Sequence, residues 1–210
     1  MIRILIADDH AVVRQGLKQI IADEADMQIV GEAEKASEVL NFIHQEDLNV
    51  IILDITMPGK SGLDLLPEIR NLRPMIKILI LSMHAEEQFA IRALKSGASG
   101  YITKQSAPTE LVKAIRKVNS GGKYMSQSIA EQLAFFVSDD TNKPLHQRLS
   151  DREFQVMRMI AEGKTLREIA NELFISEKTV GTYRTRIMEK MNMSRNAELI
   201  RYAVQNKIIE

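Results

Sequence analysis

The stretch "IRILIADDHAVVRQG", residues 2–16, decides how the rest of the chain is read. Ile2 to Ala7 is a short run of branched aliphatics, the composition of a parallel strand buried on both faces. It stops at two adjacent carboxylates, Asp8 and Asp9, and a helical pattern starts at once, near Ala11. That is the opening of a βα unit. The two anions repel each other, and Arg3 is the only base before them, so the fold must supply something opposite them.

The pattern recurs four times. "MQIVGEA" (27–33), "VIILD" (50–54), "KILILS" (77–82) and "GYIT" (100–103) read as further strands, with helical patterns around 11–22, 35–45, 62–73, 85–96 and 108–120. Five βα units in series predict an α/β fold, a doubly wound parallel sheet with right-handed crossovers. From Gly121 the pattern changes. "SGGKYMSQSIAEQLAFF" predicts a helix stop, a bend and a short helix over 128–137, and the polar "SDDTNKPLHQ" (138–147) reads as a linker. Every later element reads helical: "SDRE" (150–153) and "TLRE" (165–168) are capping boxes, Ser176 is an N-cap before 177–191, and Ser194 is expected to cap a last helix running through Asn206. The expected organisation is 1–121, a short helix and linker over 122–147, and a smaller all-α unit over 148–210.

Composition excludes several classes. There is no cysteine, hence no disulfide, thiolate catalysis or iron–sulfur cluster, as suits a reducing cytoplasm. Apolar stretches are strand-sized and no charged-then-apolar leader opens the chain, so neither signal peptide nor membrane span is expected. The formal charge of zero conceals a split: residues 145–210 carry 12 basic and 9 acidic groups, leaving 16 and 19 in the remainder. A basic second unit and an acidic first one suggest different partners.

In an open parallel sheet, ligands gather beyond the carboxyl ends of the strands. Asp8 and Asp9 end the first strand, Asp54 the third and Ser82 the fourth, while Lys104 follows the fifth. Singly, each has a plainer reading as a helix cap, a turn residue or a solvated charge. Jointly, at the same end of four strands, those readings need several coincidences. Three gathered carboxylates would raise each other's pKa values unless a cation sits among them, and oxygen ligands without His or Cys favour Mg²⁺.

In the second unit, "TLREIANELFISEKTVGTYRTRIMEKM" (165–191) has the layout of a helix-turn-helix. Ile169, Ala170 and Leu173 share one face of its first helix, Phe174 and Ile175 are expected to fill the turn, and Val180, Tyr183, Ile187 and Met191 form the buried stripe of its second. The opposite face carries Lys178, Gly181, Thr182, Thr185 and Arg186, with Arg184 and Lys190 flanking. Small, hydroxyl and basic groups on one face suit a major groove, although the charges alone would equally make a solvated face.

Residues 1–120 resemble a two-component receiver domain in the Asp8–Asp9 pair, "LDITMPG" around Asp54, the hydroxyl of Ser82, the aromatic Tyr101 and Lys104, in that order. The resemblance implies a flavodoxin-like (βα)5 fold and phosphorylation of Asp54 by a sensor histidine kinase. It also implies Mg²⁺ on Asp9, Asp54 and the carbonyl of Thr56, with Asp8 acting through water. Lys104 then faces the phosphoryl group, Ser82 swings onto one of its oxygens and Tyr101 follows. Thr56 and His84 occupy the positions that tune phosphoryl lifetime, and Gln105 stands where many receivers have Pro.

Residues 148–206 are similar to the LuxR-type (NarL/FixJ-like) four-helix DNA-binding domain, through "LSDRE", "REIA" and "ISEKTV". That resemblance implies that Gly181, Thr182 and Thr185 face bases while Lys178, Thr179, Arg186 and Lys190 sit near phosphates. Gly181 departs from the usual Lys, removing a donor for guanine. Together the two resemblances imply a cytoplasmic regulator, not an enzyme, that dimerises when phosphorylated and binds double-stranded promoter DNA, with RNA polymerase as a candidate partner. A phosphatase using an aspartyl nucleophile would need an acid two residues after Asp54, where Thr56 stands. A constitutive DNA-binding protein whose receiver serves only for docking is the alternative.

Overall fold

The computed structural model describes residues 1–58, 60–83, 87–127, 129–131 and 144–209, in two compact units, Met1–Ala134 and Phe135–Glu210. The first unit alternates β1 (Ile2–Ala7), α1 (Ala11–Ala22), β2 (Met27–Ala33), α2 (Ala36–Gln45), β3 (Val50–Asp54), α3 (Gly62–Leu72), β4 (Lys77–Ser82), α4 (Glu87–Lys95), β5 (Gly100–Thr103) and α5 (Ala107–Asn119). All strand pairs are parallel, in the order β2-β1-β3-β4-β5. The order reverses between β1 and β3, which opens a crevice at their carboxyl ends.

Strand side chains alternate between the faces, and both faces are buried. Ile4, Ile6, Val50, Ile52, Leu79 and Leu81 pack with Leu17 and Ile21 of α1 and with Leu111, Ile115 and Val118 of α5. The alternate residues Leu5, Ile51, Leu53, Ile78 and Ile80 are buried too, on the face covered by α2, α3 and α4. This double burial is why the strands read as continuous aliphatic runs.

After α5 the chain turns at Gly121 (φ 91°) and Tyr124 pairs with Gly100. The Tyr101 N–H donates to the Tyr124 carbonyl at 2.8 Å, and the Tyr124 N–H to Ser99 at 3.2 Å. A Cβ at Gly100 would lie 2.8 Å from the Tyr124 carbonyl, so only glycine lets this segment lie along β5 and shield its edge.

In the second unit a 3₁₀ turn (Leu145–Arg148) precedes α6 (Asp151–Ala161), α7 (Leu166–Glu172), α8 (Glu177–Met191) and α9 (Asn196–Gln205). Phe154, Met157, Ile169, Val180, Ile187 and Leu199 form its core. Both capping boxes and the Ser176 cap are present. Asn192 ends α8 in the left-handed region at φ 53°.

Three expectations need correction. Ser194 does not cap the last helix: the Glu198 carboxylate reaches back to the N–H groups of Ser194 (2.7 Å) and Arg195 (3.2 Å), and Arg195 takes the cap position. Phe174 does not fill the turn: it adopts φ 54° and is 55% exposed, while Ile175 is half-buried. Tyr183 is likewise half-buried on the edge of the stripe. The helix expected over 128–137 and the linker over 138–147 lie largely outside the described residues, as does His84.

Candidate functional site

At the carboxyl edge of the sheet, β1, β3 and β5 deliver Asp8, Asp54 and Lys104 to one point. Lys104 Nζ lies 2.7 Å from Asp8 Oδ2 and 3.0 Å from Asp54 Oδ2. Asp54 is 2% exposed. Asp8, Asp9, His10 and Asp54 each offer a ligand atom within 4.8 Å of the others. Burial pushes the Asp54 carboxyl up to about 6; Lys104 and the Thr56 N–H oppose this, while Asp8 adds to it. Burial alone would depress the Lys104 amine, but Asp54 and Asp8 outweigh it and hold that amine above its ordinary value.

Three carboxylates against one ammonium leave two negative charges, a surplus that a divalent cation could balance. The oxygen donors suit a hard ion such as Mg²⁺. The anions that open the sequence thus face an amine delivered from β5, with a surplus that a metal can balance.

Local structure holds the cup in place. The Asp8 carboxylate accepts from the His10 N–H at 2.8 Å, while His10 Nδ1 stands 3.0 Å from Asp8 and 2.7 Å from Asp9. The Arg14 guanidinium donates to the Asp8 carbonyl at 2.8 Å and to Glu32 at 3.1 Å, tying the β1–α1 turn to β2. Ser61 caps α3, and the Gly62 N–H donates to Ile55 at 2.8 Å. A Cβ at Gly62 would lie 2.1 Å from the Asp54 carbonyl oxygen, so glycine is what lets α3 start directly against Asp54. Ser82 is fully buried and its carbonyl accepts from the Lys104 N–H at 2.7 Å. Tyr101, beside Ile80 in the ladder, is already packed inside at 3% exposure.

In the second unit α7 and α8 form the expected helix-turn-helix. Lys178, Thr182, Thr185 and Arg186 are exposed together on α8. The Thr182 hydroxyl donates to the Lys178 carbonyl at 3.0 Å and that of Thr185 to Gly181 at 3.2 Å, which leaves the hydroxyl lone pairs outward. Among the described residues outside its own helical turn, nothing lies within 4 Å of where a Gly181 Cβ would sit, so no internal packing there requires glycine. Thr179 is half-buried with its hydroxyl 2.8 Å from that of the cap residue Ser176. Lys190 is paired at 2.6 Å with Glu153 of α6.

The family described as "Response regulator receiver domain" matches residues 4–116, and "Bacterial regulatory proteins, luxR family" matches 147–203. The chain is 38% identical to the response regulator GacA of Pseudomonas viridiflava over 212 residues, covering 100% of this chain and 99% of GacA. It is 36% identical to the response regulator UvrY of Escherichia coli K12 over 208 residues, covering 98% and 95%. The chain belongs to the two-component response regulators.

RcsB of Salmonella enterica serovar Typhimurium, bound to a promoter in the presence of the phosphomimetic BeF3⁻, superposes with a TM-score of 0.65 at 28% identity, covering 96% of this chain and 97% of RcsB. This response regulator therefore joins a flavodoxin-like receiver to a LuxR-type helix-turn-helix domain, and it acts on transcription with a histidine kinase as its upstream partner. Among its described residues no helix is long and apolar enough to cross a membrane.

Three contributors went unread in the sequence. His10 stands beside the acidic pair and its adjacency was the available signal. Gly62 looks like any turn glycine. Arg152, inside a capping box, is buried and donates to the carbonyl of Leu173 at the helix-turn-helix bend, 2.9 Å away; its sequence gives no sign of that.

Proposed function

We propose that the receiver of this response regulator accepts a phosphoryl group at Asp54 and thereby controls dimerisation and promoter binding by α8. The phosphorus–nitrogen bond of a kinase phosphohistidine breaks as a bond from phosphorus to an Asp54 carboxylate oxygen forms, and the electron pair returns to the imidazole. Asp9, Asp54 and the Thr56 carbonyl are the groups that would hold Mg²⁺, with Asp8 acting through water; the bound ion would neutralise charge on the phosphoryl oxygens. Lys104 supplies the fixed positive charge on the other side. Ser82 and Tyr101 then register the new anion as a change of packing between two arrangements.

At the other end, Gly181, Thr182 and Thr185 meet base edges while Lys178, Thr179 and Arg186 meet phosphates. Residues 1–121 form the receiver, 148–210 the DNA-binding domain and 122–147 their connection. The protein works in the cytoplasm, with RNA polymerase as a further partner at the promoter.

The observation that carries this reading is the position of Lys104 Nζ, within 3.0 Å of carboxylate oxygens from two different strands beside a third carboxylate. Fluorine NMR of the full chain with beryllofluoride tests it. A bound resonance should appear only when Mg²⁺ is present and should be missing from Asp54→Asn. A bound signal without Mg²⁺, or on the variant, contradicts the reading.

A further inference from the structure

We propose that Lys190 is a positioning residue, not a phosphate contact: with Glu153 and Arg152 it braces the DNA-reading helix against α6. This rests on the reading of α8 as the helix that enters the groove.

Lys190 lies twelve residues after Lys178, which at about 100° per residue turns it roughly 120° away from that side chain. It therefore sits on the flank of α8, towards the buried stripe of Val180, Ile187 and Met191. Its ammonium meets the Glu153 carboxylate at 2.6 Å, and Glu153 is only 3% exposed. The same carboxylate oxygen accepts from the Ser150 N–H at 2.7 Å, closing the capping box of α6. Burial opposes ionisation of Glu153, yet Lys190 and Ser150 outweigh it and hold the carboxyl below its ordinary value.

For Lys190 to turn to a phosphate, Glu153 would be left charged and buried with no cation, held by the Ser150 N–H and hydroxyl. A buried carboxylate stripped of its cation loses more than an exposed phosphate contact returns. Lys190 therefore stays where it is when DNA binds.

The neighbouring Arg152 completes the brace. It is 5% exposed, donates to the Leu173 carbonyl at 2.9 Å, and is itself steadied by Gln155 at 2.8 Å. Two consecutive residues in the first turn of α6 thus hold both ends of the reading unit: Arg152 fixes the bend before α8, and Glu153 fixes its last turn. The contribution of "DRE" to DNA binding is the orientation of α8 rather than any contact with the duplex.

Salt dependence separates a brace from a contact, because a lost phosphate contact lowers the slope of log affinity against log salt by about 0.9. The full chain is titrated, over a range of salt concentrations, with a duplex selected by it from a random-sequence pool. Lys190→Met should weaken binding about tenfold with the slope unchanged. Glu153→Gln, which keeps an acceptor for the Ser150 N–H, should weaken it by the same factor, and the double variant should be no worse than either single one. Lys178→Met serves as the contact control and should lower the slope by about 0.9. A lowered slope for Lys190→Met overturns the proposal, as does additivity of the two brace substitutions. If Lys178→Met and Arg186→Met leave both affinity and slope unchanged, the assignment of α8 as the reading helix fails instead, whatever Lys190 does. A cooperative thermal transition in each variant identifies those that are folded, and Lys190→Arg, which can still pair with Glu153, should restore wild-type affinity in a folded chain.

Discussion

Asp54→Ala is expected to reduce labelling of the full chain by acetyl phosphate and Mg²⁺ to background. The acidic cup contains two other carboxylates, so the specificity needs a cause. Asp8 is tied on one oxygen by the His10 N–H at 2.8 Å and approached on the other by Lys104 at 2.7 Å. Asp9 lies beside the His10 imidazole at 2.7 Å. Asp54 ends the central strand, with Lys104 at one oxygen and α3 packed against its carbonyl side, and the ligand set proposed above, Asp9, Asp54 and the Thr56 carbonyl, would place Mg²⁺ against it. Burial raises its pKa to about 6, so a further cation beside it would stabilise the ionised form from which it attacks. Label is read by mass spectrometry and by its release with hydroxylamine, which cleaves acyl phosphates. Hydroxylamine-sensitive label persisting on Asp54→Ala would place the acceptor elsewhere in the cup.

Lys104→Met should slow phosphorylation by about 100- to 1,000-fold, the usual loss when one preorganised charge is removed from a developing oxyanion. The same change should tighten Mg²⁺ binding, because Asp8 and Asp54 lose the only ammonium that either touches among the described residues. A rate that falls while metal affinity rises is a signature that misfolding does not produce. Initial rates of labelling, taken at Mg²⁺ concentrations that saturate each variant, check the first half, and calorimetric titration of Mg²⁺ checks the second. Unchanged rates at saturating Mg²⁺ would remove Lys104 from the phosphoryl site.

Much of this molecule is visible in its residues because burial and periodicity coincide. The strands are apolar on both faces, so "VIILD" and "KILILS" mark β3 and β4 without ambiguity, and the reactive groups stand at strand ends, where backbone direction alone brings them together. Ser176 and the two capping boxes announce α6, α7 and α8 because capping is a local interaction, complete within four residues. Features that depend on distant partners are not visible. Glu153 and Lys190 are 37 positions apart, and a Glu in a capping box gives no hint of a second bond. Gly62 earns its place through a carbonyl eight residues upstream. Phe174 misleads because an apolar residue at the bend of a helix-turn-helix reads as filling the turn, whereas the left-handed backbone after α7 leaves it exposed. Ser194 misleads for a local reason: the helix starts one residue later, with Arg195 at the cap, and the Glu198 carboxylate takes the N–H groups of both Ser194 and Arg195.

Charge placed on Asp54 is expected to change how tightly α8 binds DNA. Affinity for a duplex selected from a random-sequence pool, measured for the full chain with Mg²⁺ and with or without beryllofluoride, tests it most directly. Wild type should bind at least about tenfold more tightly with beryllofluoride, within the usual range of coupling between two sites, and Asp54→Asn should not respond. Equal affinities for wild type under both conditions would rule out control of α8 by Asp54 and leave a constitutive DNA-binding protein whose receiver only docks.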